Sequence, residues 1–195
     1  MPIQKLITQI LERPDAPKII QEVSQRLEEE AKKRKHFYDE ISEYEKAEFI
    51  NGEIIIHSPV KKEHNDVSSS LHALFSAYVK KHQLGYLGYE KIMISLSRND
   101  YEPDICFFKA EKAQDFKKGQ SLFPAPDLVV EVLSPKTASN DRGIKYEDYQ
   151  AHGILEYWII DPSQQLLEQY RLNTDQQYEL ILKAHQGKIS SEALL

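Results

Sequence analysis

One cysteine, one tryptophan and no long apolar run set the outer limits for this 195-residue chain. Cys106 has no partner for an internal disulfide and sits in the apolar stretch Ile105-Cys106-Phe107-Phe108. It reads as a buried small hydrophobe, and the cytosol is the default compartment. No apolar stretch approaches the roughly 20 residues that span a bilayer. The first residues, Met1-Pro2-Ile3-Gln4-Lys5, lack the apolar run and small-residue cleavage site of a signal peptide. A basic excess is missing too. Lysine and arginine number 25 against 31 acids, a formal charge of −6, which argues against nonspecific coating of nucleic acid. Lys61, Lys62, Lys91, Arg98, Lys136 and Arg142 still supply material for a local basic rim. The histidines show no zinc-ligand spacing, and there is no repeat or low-complexity tract. What remains, 41% hydrophobic and 29% charged, suits one globular domain with some decoration.

Ile3, Leu6, Ile7, Ile10 and Leu11 form a helical stripe that Pro14-Asp15-Ala16-Pro17 interrupts. A second helix is expected from about Lys18, with Ile20, Val23, Leu27 and Ala31 on one face. Glu28–Lys32, Glu29–Lys33 and Glu30–Arg34 stand at i,i+4 on a solvated side. Residues 1–43 are therefore read as an N-terminal helical extension packed on the main body or on a second subunit, and residues 44–195 as the principal domain. In that domain Asn51-Gly52 between Ala47–Ile50 and Glu53–His57 signals a hairpin. A helix is expected from about His64 to Gln83, then strands near Gly85–Glu90, Ile92–Ser97 and Asp104–Lys109. Leu128–Leu133 is apolar enough for a central strand. One helix from about Asn140 to His152, a strand over Glu156–Ile160 and a terminal hairpin complete a mixed-sheet α/β or α+β pattern.

Two acids interrupt this apolar pattern. Asp104 stands in Glu102-Pro103-Asp104-Ile105 and Glu131 in Leu128-Val129-Val130-Glu131-Val132. A carboxylate in such a run is costly to bury without a cation or hydrogen-bond donors. On the helix that follows, Asp141, Lys145 and Tyr149 share one face at i,i+4 spacing, which lets Lys145 reach both acids. Mg²⁺ takes one or two carboxylates plus waters and substrate phosphate, a partial shell that Asp104, Glu131 and the main-chain carbonyl of Val132 can provide. The chemistry so assembled is phosphate-ester hydrolysis, with Lys145 orienting the water or neutralising developing charge. Plainer readings stand beside this one. Asp104 after Pro103 also suits a turn or strand start, His64 a helix terminus as well as a proton carrier or phosphate contact, and Tyr149 simple packing.

Phe49-Ile50-Asn51-Gly52-Glu53-Ile54, Ser58-Pro59, His64 and Pro103-Asp104 occur here in order. Pro126-Asp127-Leu128-Val129-Val130-Glu131-Val132-Leu133-Ser134-Pro135, Thr137, Asp141, Lys145, Tyr149 and Glu156-Tyr157-Trp158-Ile159-Ile160-Asp161-Pro162 follow. Together, from about Tyr44 to Tyr170, they resemble the Uma-two family of restriction endonucleases, a branch of the PD-(D/E)XK nuclease superfamily. The resemblance implies a restriction-endonuclease-like fold, a central mixed β-sheet flanked by helices, and Mg²⁺-dependent cleavage of DNA, with Mn²⁺ as a substitute. It makes Asp104 the first acid and Glu131 the second. The superfamily lysine two residues after the second acid is replaced by Leu133, and Lys145 stands in for it. An additional early acid is expected, with Glu48, Glu53 and Glu63 as candidates. Paired cuts in duplex DNA would suit a homodimer.

The principal alternative is a nuclease-like scaffold that binds nucleic acid or a protein without cutting. A glycoside hydrolase built on the two carboxylates is a third reading, but no aromatic sugar platform accompanies the pair.

Overall fold

The computed structural model describes residues 3–42 and 44–194. Two helices come first, α1 (Ile3–Leu11) and α2 (Ala16–Glu40), with Pro17 near the start of α2 where its missing N–H costs nothing. α1 buries none of its residues. α2 is anchored by its C-terminal part, where Phe37 stacks on Phe49 at 5.7 Å between ring centres. Arg34 donates to both carboxylate oxygens of Asp100, at 2.6 and 2.7 Å, and Glu30 pairs with Arg98. Glu30 and Arg34 thus turn toward the main body rather than pairing with each other on a solvated face, because each finds a bidentate partner there.

β1 (Ala47–Ile50) and β2 (Glu53–Ile56) form the expected hairpin, with Asn51 and Gly52 at φ of 51° and 84°. Then come α3 (Lys62–His82), β3 (Gly85–Tyr89), β4 (Met93–Ser95), β5 (Asp100–Tyr101), β6 (Ile105–Lys109), α4 (Ala110–Ala113) and β7 (Leu122–Phe123). The chain continues through β8 (Leu128–Val132), α5 (Ala138–Arg142), α6 (Ile144–Ala151), β9 (Glu156–Asp161), β10 (Leu166–Leu172) and β11 (Tyr178–Ala184). The strands make two mixed sheets, of order β2-β1-β5-β4-β7 and β11-β10-β9-β8-β6-β3. The mixed α/β class is as expected, but the strands divide between two sheets. The short Asp100–Tyr101 strand, which sequence periodicity does not register, joins β1 to β4.

β8 lies at the centre of the six-stranded sheet, antiparallel to β6 and parallel to β9. A parallel neighbour requires a crossover, and α5–α6 is that crossover. Leu128 and Val130 face the helix α3 side, packing with Leu71, Phe75 and Trp158. Val129 faces the other way, with Cys106, Tyr149 and Tyr157. Burial on both faces explains why β8 reads as an almost unbroken apolar run. Period two then puts Glu131 on the Val129 face, beneath α6. The helix expected over Asn140–His152 is broken at Gly143 (φ −113°, ψ −101°), where an added Cβ would come within 2.8 Å of the Ser139 carbonyl oxygen. Among the described residues no helix is long and apolar enough to cross a membrane.

Candidate active site

Three backbone segments deliver the acids. β6 and β8 pair with Ile105 opposite Val130 and Cys106 opposite Val129, which brings Asp104, just before β6, beside the Glu131–Val132 end of β8, where the Val132 N–H donates to its Oδ2. Glu131 lies on the α6 side, whereas Asp104, at the strand end, is met by His64 of α3. Glu48 comes from the other sheet. In β1, Ala47 and Phe49 pack toward Phe37 of α2, while Ile50 joins the core that contains Tyr149. Glu48 and the preceding Lys46 take the Ile50 direction by alternation and face the second sheet.

The crossover helices close the site. Lys145 Nζ lies 2.9 Å from Glu48 Oε1, 3.0 Å from Glu131 Oε1 and 3.2 Å from Asp141 Oδ1. Its ammonium also stands 5.7 Å from the centre of the Tyr101 ring, within cation–π range. Tyr149 donates its hydroxyl to Glu131 Oε1 at 3.0 Å, and Tyr157 donates to the Asp141 carbonyl at 2.8 Å. Asp141, Lys145 and Tyr149 therefore converge as their spacing suggests, although the helix that carries them is interrupted.

Asp104 has a different set of neighbours. Its Oδ1 accepts from Lys46 Nζ at 2.9 Å, and its Oδ2 accepts from the Val132 N–H at 2.8 Å. His64 Nε2 is 3.1 Å from the same Oδ2. Lys145 contacts Glu131 but not Asp104, contrary to the expectation that it would bridge both acids. Lys46, absent from the sequence reading, takes that place. Of the three early glutamates, Glu48 enters the site, whereas Glu53 on β2 and Glu63 in the first turn of α3 are exposed. His57 Nε2 stands 3.1 Å from Glu48 Oε2 without hydrogen-bond alignment. Glu102 is a further buried acid that sequence reasoning missed. It accepts from the Ala47 N–H at 3.0 Å, and its own N–H donates to Glu48 Oε1 at 3.1 Å. The sequence signal for Lys46 and Glu48 was their alternation with Ala47 and Phe49, two polar residues on one face of an otherwise apolar strand.

Charge balance follows from this geometry. Burial pushes Glu131 up to about 8, since Lys145 cannot offset the added repulsion of Asp141, Asp104 and Glu48. Burial also works against ionised Asp104 and Glu48. For Asp104 it is outweighed by His64 and Lys46, which hold the group below its usual range. For Glu48 it is outweighed by Lys145 and His57, which bring the group to about 2. Asp141 is raised by burial in spite of Lys145, and Lys145, although buried, is held well above its ordinary value by Glu131, Glu48 and Asp141. Three acids around one ammonium retain a proton as a group.

Residues 29–195 match the family described as "Putative restriction endonuclease", Uma-two. The chain belongs to this family. Two Synechocystis sp. proteins are similar to it. Uncharacterized protein sll1609 is 30% identical over 138 residues, covering 70% of this chain and 77% of that one. Uncharacterized protein slr1290 is 29% identical over 133 residues, covering 67% and 68%. A crystal structure from Anabaena variabilis, described as a putative nuclease belonging to DUF820, superposes with a TM-score of 0.60 at 24% identity. It covers 69% of this chain and 75% of that one, which establishes a shared fold. Membership of the Uma-two family supports nuclease function in general terms. α1 and the first half of α2 precede the matched residues.

Proposed function

We propose that this protein is a metal-dependent endonuclease that hydrolyses DNA phosphodiester bonds. The observation that carries the reading is the juxtaposition of Asp104 and Glu131, two buried acids, one just before β6 and tied to the Val132 N–H, the other next to Val132 on β8. Their hard oxygen donors suit Mg²⁺ or Mn²⁺. Among the described residues no group of three or more His, Cys, Asp or Glu could by itself hold a metal ion. Two acids and a carbonyl fit the alternative in which waters and substrate phosphate complete the shell. Asp104, Glu131 and the Val132 carbonyl would hold the ion. That carbonyl leaves the strand on the same edge as the N–H directed at Asp104. Bound there, the metal would lower the pKa of a water and spread the charge of the phosphate.

The chain's own groups do the rest. Lys145 holds Glu131, Glu48 and Asp141 in register, Tyr149 fixes Glu131, and His64 is placed beside Asp104 to carry a proton. In the reaction a water oxygen bonds to phosphorus and the bond from phosphorus to one ester oxygen breaks. The proton lost by the water is matched by one gained at the leaving oxygen. The cytosol is the compartment this reading assigns, and the oligomer it assigns is a homodimer.

A second reading, a nuclease-like scaffold that binds without cutting, is favoured by one observation. Asp104 and Glu131 already have protein cations, Lys46 and Lys145, at 2.9 and 3.0 Å. Addition of Mn²⁺ is expected to raise the thermal midpoint of the wild type but not of Glu131→Ala. Metal-dependent cleavage of duplex, single-stranded or branched DNA is expected to disappear in Asp104→Ala. Equal metal shifts in both proteins would remove the metal site, and a folded, metal-binding wild type that cuts none of these DNAs would establish the scaffold.

A further inference from the structure

The two lysines of the site differ in what they have left to offer. An ammonium has three hydrogens to donate. Lys145 faces three carboxylate oxygens within 3.2 Å, its side chain is 3% exposed, and tyrosines surround it. Its ammonium is enclosed by these three acids, with Glu131 as its hydrogen-bond acceptor. Lys46 meets Asp104 at 2.9 Å, its one ion pair among the described residues, and its side chain is 21% exposed. Among the described residues its ammonium has one hydrogen-bond acceptor, so it has capacity for another that Lys145, crowded by three carboxylates, lacks. Leu133 is buried in the apolar core, with its N–H donating to the Ile160 carbonyl at 2.8 Å, so nothing from the end of β8 competes for that space.

We propose that Lys46 is the catalytic lysine, donating to a non-bridging oxygen of the scissile phosphodiester, and that Lys145 is an internal counter-ion that touches no substrate. The inference rests on the nuclease reading and reassigns the role given to Lys145 from the sequence. Asp104 makes Lys46 suitable. Its Oδ2 is fixed by the Val132 N–H and faces His64, so the carboxylate is held in place and its Oδ1 sets the position of the ammonium. A positioned cation at the edge of a poorly solvated site is worth more to a developing phosphate charge than a mobile one in water. Lys46 therefore brings an ammonium to Asp104 from the residue just before β1.

The test compares wild type, Lys46→Met, Lys46→Gln and Lys46→Arg in single-turnover DNA cleavage with Mg²⁺ or Mn²⁺, and in calorimetric binding of thymidine 3′,5′-bisphosphate. Lys46→Met and Lys46→Gln should cut about 100-fold or more slowly. They should bind the bisphosphate about tenfold more weakly or worse, and Lys46→Arg should recover part of both. Where Lys46→Met does not fold, Lys46→Gln, which keeps a donor without the charge, is read in the same way. Cleavage by these variants within about threefold of wild type, less than the loss of a single charged contact implies, overturns the assignment. If the wild type cuts no DNA, the nuclease reading fails by itself and the bisphosphate decides the phosphate contact. Binding lost with Lys46 supports that contact. Equal binding by both proteins, or none by the wild type, overturns it.

Discussion

Around Lys145 three carboxylates share one ammonium behind a wall of tyrosines. A few ångströms away, around Asp104, one carboxylate is shared by an ammonium, an imidazole and a main-chain N–H. Glu131 and Asp104 are thus neighbouring buried acids with opposite tendencies, one pushed up to about 8 and the other held low. Burial is nearly the same for both, so it cannot be the cause of the difference. The ratio of acids to donors is. A buried carboxylate in a strand becomes a proton reservoir or a fixed anion according to how many donors the surrounding elements bring to it.

Lys145→Met attacks the crowded cluster directly. It leaves Glu131 and Asp141 buried without their ion-pair partner, and Glu48 with His57 alone, and should cost about 3–5 kcal/mol in urea unfolding. Lys46→Met leaves Asp104 with His64 and the Val132 N–H, and should cost no more than about 1–3 kcal/mol. Equal losses would erase the distinction between an internal counter-ion and an open one.

The next test is pH. The folded-state value of Glu131 lies above its ordinary 4.5, so its contribution to stability is fully present below that value and is lost as pH rises toward about 8. The free-energy difference between wild type and Glu131→Gln should therefore fall from pH 5 to pH 8. Asp104 has the opposite sign. Its contribution is present above the ordinary carboxylate range and is lost as pH falls through its depressed value, so the difference from Asp104→Asn should shrink below about pH 4. Urea midpoints across pH measure both. A Glu131 difference that rises from pH 5 to pH 8 would place the shared proton elsewhere.

Much of this arrangement was legible, for identifiable reasons. Glu131 was conspicuous because a central strand covered on both faces leaves no solvent for a carboxylate. Asp141, Lys145 and Tyr149 were readable as one face because i,i+4 spacing survives the break at Gly143. That break was not legible, since a lone glycine inside a periodic pattern is compatible with a continuous helix. The choice among Glu48, Glu53 and Glu63 needed the pairing of β1 with both β2 and β5, which buries Glu48 and leaves Glu53 on an edge strand. Lys46 was missed because it precedes its strand and acts across to another sheet. Periodicity reports which face a residue takes, not what another sheet presents to it. Similarly, Arg34 looked like one half of an i,i+4 pair, and only the tertiary position of Asp100 made it an anchor.

Tyr149→Phe tests the wall of the crowded cluster by removing the hydroxyl that donates to Glu131 at 3.0 Å. Loss of one buried hydrogen bond to a charged group should cost about 1.5–3 kcal/mol, less than loss of Lys145, with the Tyr101 and Tyr157 ring contacts retained. Urea unfolding at pH 8 and pH 5 separates two effects. The hydroxyl favours ionised Glu131, so the penalty should be larger at pH 8. A penalty that is the same at both values would make Tyr149 a packing residue rather than part of the charge balance.

The smallest effect is expected furthest from both clusters. Residues 1–14 include α1, none of whose residues is buried, and Ile3 and Leu11 are 70% and 66% exposed. α2, by contrast, is held by Phe37, Arg34 and Glu30, all toward its C-terminal end. Deleting residues 1–14 should therefore change monomer stability by no more than about 0.5 kcal/mol, the range of surface changes. It should also leave the responses of Glu131 and Asp104 to pH intact. If the homodimer forms through the exposed apolar residues of α1 and α2, the same deletion should lower the sedimentation coefficient and make the full-length thermal midpoint the more concentration-dependent of the two. A full-length chain that sediments as a monomer at all concentrations removes the dimer. A deletion that costs several kcal/mol in a monomer would show that α1 belongs to the folding unit.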